Sequence, residues 1–288
     1  MGMLLYLAGK LSPKAYYRIS SLRYKLPFVG RLFSMMGNSI RNRDGVIQNG
    51  VGKGLKFNTG DSIAGFLLGT QEPQVQSILQ QIIKPGMVVF DLGANVGFLT
   101  LILARLAGPG GRVIAFEPLA KNAKQIEYNA AQNQFAHVMV RAEAIGKTDG
   151  EVVFRVSDFS TTGKLEAHQH GEPQGVAVNV PMRSLDSVIA SGEAPAPDMI
   201  KMDIEGAEAE CLRGAMQLLA GKRPVMLIEI HGSNADVDDL LKAARYQSLV
   251  LGSKQSLRES HWNSQILAFP AERPMPPEIC DLVAAPVI

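Results

Sequence analysis

Cysteine is almost absent. The 288 residues include only Cys211 and Cys280, too few for a disulfide framework or a cysteine-ligated metal cluster. A reducing, cytoplasmic setting is therefore the expectation. Long apolar runs are also missing. None reaches the ~20 residues that a membrane-spanning helix needs. Yet 46% of the chain is hydrophobic, which excludes a disordered chain. Met1 to Leu11 is apolar but has no basic leader and no small-residue cleavage site, so no secretory signal is expected. Tyr6 stands where a myristoylated start needs Ser or Thr. The glycine-rich signatures of nicotinamide binders and of P-loop nucleotidases are missing too.

Net charge is small, +2, but it is unevenly spread. Residues 1–45 carry eight Lys/Arg against the single acid Asp44, a net +7. The other 243 residues carry 21 basic and 26 acidic groups, a net −5. A basic arm precedes an acidic body. Ser12 and Pro13 suit a helix start, and Ala15, Ile19, Leu22 and Leu26 make one apolar stripe. The arm has three readings: a helical cap over the body, a contact with an anionic membrane surface, or a dimer or nucleic-acid contact. Tyr16, Tyr17, Tyr24 and Phe28 fall at helical spacing rather than in an RNA-reading array, and the acidic body also opposes nucleic acid.

What is present in the body is alternation. Residues 46–58 read as a hairpin turning at Asn49-Gly50. Pro73 opens a helix that buries Val75, Ile78, Leu79 and Ile82. Strands follow at 88–90, 113–116 and 138–140, with helices at 98–106 and around Leu119, Ala123, Ile126 and Ala130. Residues 151–156 and 176–182 alternate as an inserted antiparallel pair. Strand 199–202, helix 207–219, strand 225–230 and helix 237–244 resume the pattern. Strands 248–251 and 265–269 close it, near enough in sequence to be antiparallel. This predicts an α/β fold with seven main strands, mostly parallel, and helices on both faces.

The chemistry concentrates at strand ends, where α/β sheets bind ligands. Asp91-Leu92-Gly93-Ala94-Asn95-Val96-Gly97 ends one strand at an acid and turns through glycines. With no diphosphate cradle, that acid points to a ligand with a positive group. Glu117-Pro118 ends the next strand, where an acid holds ribose hydroxyls. Lys201, Asp203 and Glu205 alternate at a third strand end, and Glu229 and His231 at a fourth. These groups either form a structural network, with Lys201 pairing Glu205 or Glu229, or serve a reaction at this edge.

These motifs, in this order, resemble the FkbM family of class I S-adenosylmethionine-dependent methyltransferases. The resemblance covers roughly residues 71–235 within a domain of 46–288, and leaves 1–45 as a helical extension. It implies a Rossmann-like sheet and methyl transfer, most often to a hydroxyl oxygen of a sugar, glycolipid or natural-product-type small molecule. It implies that Gly93, Ala94, Asn95, Gly97 and Phe98 wrap the amino-acid end of S-adenosylmethionine beside Asp91. Glu117 and Pro118 then hold the ribose, and Glu143 and Ala144 lie by the adenine. An alcohol acceptor must lose a proton. His231, whose ordinary pKa suits that task, is the first candidate base and Asp203 the next, with Glu205 and Glu229 beside them. A divalent cation on Asp203, Glu205 or Glu229 is the alternative, though no motif demands a metal. An RNA methyltransferase served by the basic arm, and a cofactor binder without catalysis, are the competing functions.

Overall fold

The short apolar runs that end in acids assemble into one central sheet. The computed structural model describes residues 42–63, 65–156, 163–165 and 176–286. The arm helix and the polar stretch holding Asp158, Ser160, His168 and His170 lie outside these. Chain order begins with a two-stranded ribbon, β1 (Asp44–Val46) and β2 (Lys56–Asn58), then α1 (Gly65–Leu68) and α2 (Pro73–Ile82). The core alternation is β3 (Val88–Leu92), α3 (Phe98–Ala107), β4 (Arg112–Phe116), α4 (Ala120–Gln132) and β5 (Val138–Arg141). A second sheet is built from β6 (Ala144–Ile145), β7 (Gly150–Val156), β8 (Gly163–Leu165) and β9 (Val176–Arg183). The chain then runs through α5 (Leu185–Ala190), β10 (Met199–Met202), α6 (Glu208–Arg213), α7 (Met216–Ala220) and β11 (Val225–His231). It ends with α8 (Asn234–Ala243), β12 (Tyr246–Val250), β13 (Asn263–Pro270) and α9 (Pro277–Ala284).

The seven-stranded sheet has the order β12-β13-β11-β10-β3-β4-β5. Only β13 runs against its neighbours, β11 and β12. Alternation divides the strand residues between two apolar layers. Val89, Val113, Met199, Leu227 and Leu267 face the layer that holds Leu79 of α2 and Leu101 of α3. Phe90, Ile114, Ile200, Ile228 and Ile266 face the layer that holds Leu212 of α6 and Leu241 of α8. The sheet is thus covered on both faces, as its uniformly apolar strands require. Among the described residues no helix is long and apolar enough to cross a membrane.

Three expectations need correction. The ribbon starts at Asp44 and reverses at Gly50 to Lys53 rather than in a two-residue Asn49-Gly50 turn, because Ile47 pairs with Leu55. The single helix expected over 207–219 is two. The first ends at Gly214, where a Cβ would run into the Gly146 carbonyl oxygen. The Asp186 carboxylate then caps the second helix by accepting from the Gln217 and Leu218 N–H groups (2.8 and 2.9 Å). The inserted antiparallel pair is β7 with β9, but two further strands, β6 and β8, make it a separate four-stranded sheet.

Candidate active site

A cleft with about 940 Å³ of open space, mouth included, lies beyond the carboxyl ends of β3, β4 and β10. Gly93, Ala94, Asn95, Phe98, Glu117 and Pro118 form one stretch of its wall. Glu143 and Ala144 close one side, and Asp203 and Glu205 another. Phe66, Phe116, Ile145 and Phe154 give it apolar walls. Three non-glycine residues on this wall sit in the left-handed region: Glu72 (φ 47°), Asn95 (φ 52°) and Glu205 (φ 55°). Such strain persists where surrounding contacts impose it, and it gathers at functional sites.

Glu117 locks the glycine turn. Its carboxylate accepts from the backbone N–H of Asn95 (2.8 Å) and of Leu119 (3.1 Å), and from the Asn122 amide (3.3 Å). It is 5% exposed. Burial pushes its pKa up to about 7 against those three bonds. Glu143 is already held by Arg141 through a forked pair of hydrogen bonds, 2.7 and 3.0 Å.

Asp91 and Gly97 are not on the wall. Asp91 is fully buried behind the turn. Thr100 donates to its Oδ2 (2.6 Å), while its Oδ1 has no hydrogen-bond partner and faces Lys201 at 3.8 Å. Burial raises its pKa despite Lys201. Gly97 is the N-cap of α3, its φ of 89° allowing the chain to enter the helix.

Lys201 pairs differently from the sequence reading. It contacts Asp91 (3.8 Å) and Asp203 (3.6 Å). Register explains this, since Lys201 lies directly beside Asp91 across the β10–β3 ladder. Both neighbours hold its charge above the ordinary lysine range although burial opposes it.

The acids and imidazole at the ends of β10 and β11 do converge. His231 Nε2 lies 3.6 Å from Glu229, 3.9 Å from Glu205 and 4.0 Å from Asp203. On its other side, Nδ1 donates to Glu208 Oε1 at 3.1 Å. Glu208, fully buried, also accepts from Gly206 N–H (2.8 Å) and the Ser233 hydroxyl (2.9 Å). Gln265 on β13 donates to Glu229 (2.8 Å). Burial opposes a charge on His231, but the bonds to Glu208 and Glu229 and the fields of Asp203 and Glu205 outweigh it, raising its pKa to about 10. Burial raises Asp203 to about 6; Glu229 and Glu205 add to the rise, and Lys201 and His231 oppose it. His231 is therefore a cation at neutral pH, and Asp203 is the acid of this cluster raised towards neutrality, as Glu72 and Glu117 are elsewhere on the wall.

Asp203, Glu205 and His231 each offer a donor atom within 4.8 Å of the others, a set that could gather a divalent ion. Lys201 and the imidazolium supply two positive charges among these acids. Two members of the site were given no role from the sequence. Glu208 closes the Lys201-to-Glu208 run that resembles the family, but by itself it is an ordinary first-turn helix acid. Glu72 precedes a helix, a common polar position, although its place on the strand-end side of α2 was a usable signal.

The raised acids make stability depend on pH. Glu117 and Glu72, each near 7, and Asp203, near 6, bind more protons folded than unfolded. Their stabilising share is full below about pH 4 and is lost progressively as pH rises from there to 6 for Asp203 and to 7 for the two glutamates. His231 acts in the same sense between its ordinary 6.5 and about 10. The empty protein should melt at least ~5 °C lower at pH 8.5 than at pH 6, because about one pH unit of the loss at each of Glu117 and Glu72, at most ~1.4 kcal/mol apiece, falls in this interval. A melting temperature that is flat or rising over this interval in calorimetry would refute the raised values.

Residues 91–248 match the Methyltransferase FkbM domain family, more than half of the chain. Among characterised relatives, the hexuronic acid methyltransferase AglP of Haloferax volcanii is 27% identical over 176 residues, spanning 60% of this chain and 69% of that one. The AMB antimetabolite synthetase AmbE of Pseudomonas aeruginosa is 25% identical over 222 residues, 60% of this chain but 10% of AmbE. A crystal structure of methyltransferase FkbM from Methylobacillus flagellatus aligns with a TM-score of 0.45 at 19% identity. It covers 71% of this chain and about half, 52%, of that one.

Proposed function

We propose that this chain, which belongs to the FkbM family of S-adenosylmethionine-dependent methyltransferases, transfers methyl to a hydroxyl oxygen of an uncharged sugar or similar polyol. One observation carries the reading. Asp203 and Glu205 belong both to the cleft wall and to the imidazole-carboxylate cluster, so a hydroxyl presented to the cleft meets a carboxylate.

The cleft suits the cofactor. Its apolar walls fit a nucleoside base. Five acids, Glu72, Glu117, Glu143, Asp203 and Glu205, line the cleft, which suits a ligand that brings positive charge and hydroxyl groups. Glu117 is the residue to hold the ribose, with Gly93 to Asn95 against the amino-acid portion. When bound, S-adenosylmethionine supplies an electrophilic methyl group that leaves sulfur as the new oxygen–carbon bond forms.

The protein must therefore take a proton from the acceptor. Asp203 does this better than His231. The imidazole is already protonated at pH 7, whereas a carboxylate with a pKa of about 6 is ionised yet close enough to neutrality to accept a proton. His231 and Lys201 hold Asp203 ionised and offset the negative charge that grows on the acceptor oxygen. Glu208, with Gly206 and Ser233 behind it, orients the imidazole.

Acceptor charge follows from the same wall. Asp203, Glu205, Glu72 and Glu143 line the cleft, and a carboxylate acceptor would enter against them. The acceptor is accordingly a neutral hydroxyl rather than an acid group, although AglP is named for a hexuronic acid. A radiolabelled methyl-transfer screen should show product with neutral glycosides or lipid-linked sugars and little with the matching uronates or with RNA. Methyl esters formed on uronates alone would overturn the hydroxyl reading.

A further inference from the structure

Glu72 belongs to no sequence motif of the site. It is the N-cap residue of α2, yet its side chain makes no capping bond. Its backbone is left-handed (φ 47°, ψ 55°), a conformation that costs a non-glycine residue free energy. The surroundings enforce it. Buried Gln76, one turn along, donates to the carbonyls of Gly69 (3.3 Å) and Gln71 (2.6 Å) and accepts from the Val51 N–H (2.9 Å). The loop entering α2 is thereby fixed.

That strain aims an acid at the cleft. Glu72 lines the cavity together with Gly93, Lys201 and Asp203. It lies within the electrostatic reach of Lys201, Asp203, Glu229 and Asp91. Burial is the main cause that raises its pKa to about 7. Lys201 is the nearest fixed cation, but it is engaged by Asp91 and Asp203. A half-buried acid left without its own cation, among other acids, is costly unless a ligand brings positive charge.

S-adenosylmethionine carries both its positive centres, ammonium and sulfonium, at its amino-acid end, and none on its adenosine. We infer that Glu72 is a further cofactor-binding residue, whose carboxylate accepts a hydrogen bond from the α-ammonium of the bound cofactor and so fixes which way round the cofactor lies. The inference rests on the reading that this cleft takes S-adenosylmethionine.

The test compares two nucleosides by calorimetry with the full chain. S-adenosylhomocysteine keeps the ammonium; methylthioadenosine has no amino-acid end. Glu72→Gln should weaken S-adenosylhomocysteine about tenfold or more, as loss of one charge-assisted bond implies. Methylthioadenosine should change less than about twofold, since its atoms never meet Glu72. Titration at pH 7 in buffers of different ionisation enthalpy should also show more proton release on S-adenosylhomocysteine binding to the wild type than to Glu72→Gln. Glu72→Asp, which keeps the charge on a shorter arm, should recover part of the affinity. If both nucleosides weaken equally, or neither does, Glu72 does not hold the ammonium. If the wild type binds neither nucleoside, the cofactor reading fails together with it.

Discussion

Asp203→Asn should reduce turnover by about 10²–10⁴, the usual worth of a positioned base, or about 3–5 kcal/mol of barrier. Asparagine keeps the size of the side chain and can still face Lys201, so the defect should lie in kcat under saturating cofactor. The pH profile makes the prediction specific. Asp203 must be ionised to act, so kcat/KM of the wild type should rise tenfold per unit below about pH 6 and level off above it. The residual rate of Asp203→Asn should lack that limb. His231→Ala should move the limb of the enzyme upward, because the imidazolium is one of the two charges that hold Asp203 down. If His231 were the base instead, the limb would lie near pH 10, where the imidazole loses its proton. A chelator should leave the wild-type rate unchanged. Loss of activity on chelation, restored by Mg²⁺ or Mn²⁺, would transfer the role to an ion on Asp203, Glu205 and His231 and sink the base assignment.

How much of this could be read from the residues varies by physical cause. The turn Asp91–Gly97 was legible because acid, glycine spacing and flanking strand all follow from local chain geometry, and strands β3, β4, β10 and β11 came within two residues of their observed ends. The convergence of Asp203, Glu205, Glu229 and His231 was legible too, since parallel neighbours place their carboxyl ends at one edge. The partners of Lys201 were not. They depend on the β10–β3 register, a long-range fact that alternation within one strand does not contain. The base assignment was open to the same limit. His231 has a suitable pKa in water, and only the four carboxylates collected from the ends of β10 and β11 and the start of α6 turn it into a resident cation. The break at Gly214 was invisible because what surrounds it is distant in sequence: the Gly146 backbone 68 positions away leaves no room for a Cβ, and Asp186 caps the helix that follows. Glu72 was hidden for a related reason: what makes it more than a polar helix start is the strain imposed by Gln76 and the acids of three other strands.

Gly93→Ala should be the most damaging single-methyl change in the cleft. Gly93 has φ 78°, which a residue with a Cβ adopts only at about 1–2 kcal/mol. A Cβ there would also run into the carbonyl oxygen of Asp203. That oxygen is backbone, so no rotamer change relieves the clash, and the end of β10 must move away from β3. Overpacking of this kind costs a further ~1–3 kcal/mol. The sum, about 3 kcal/mol or more, corresponds to a fall of roughly 10 °C in melting temperature for a domain of this size. The same shift displaces Asp203 from Lys201 and the cleft wall, so nucleoside binding should fail with it. Gly97→Ala is the control. Its φ of 89° is equally unfavourable, but its Cβ would meet Ile126 at 3.2 Å, so a shift of a few tenths of an ångström between α3 and α4 accommodates it. Gly97→Ala should therefore lose only about 1–2 kcal/mol and still bind S-adenosylhomocysteine. Thermal melts with calorimetric binding on both variants decide the matter. A Gly93→Ala protein that melts within 2 °C of wild type (~0.5–1 kcal/mol) and binds S-adenosylhomocysteine normally would mean that the Gly93–Asp203 approach does not shape the cleft.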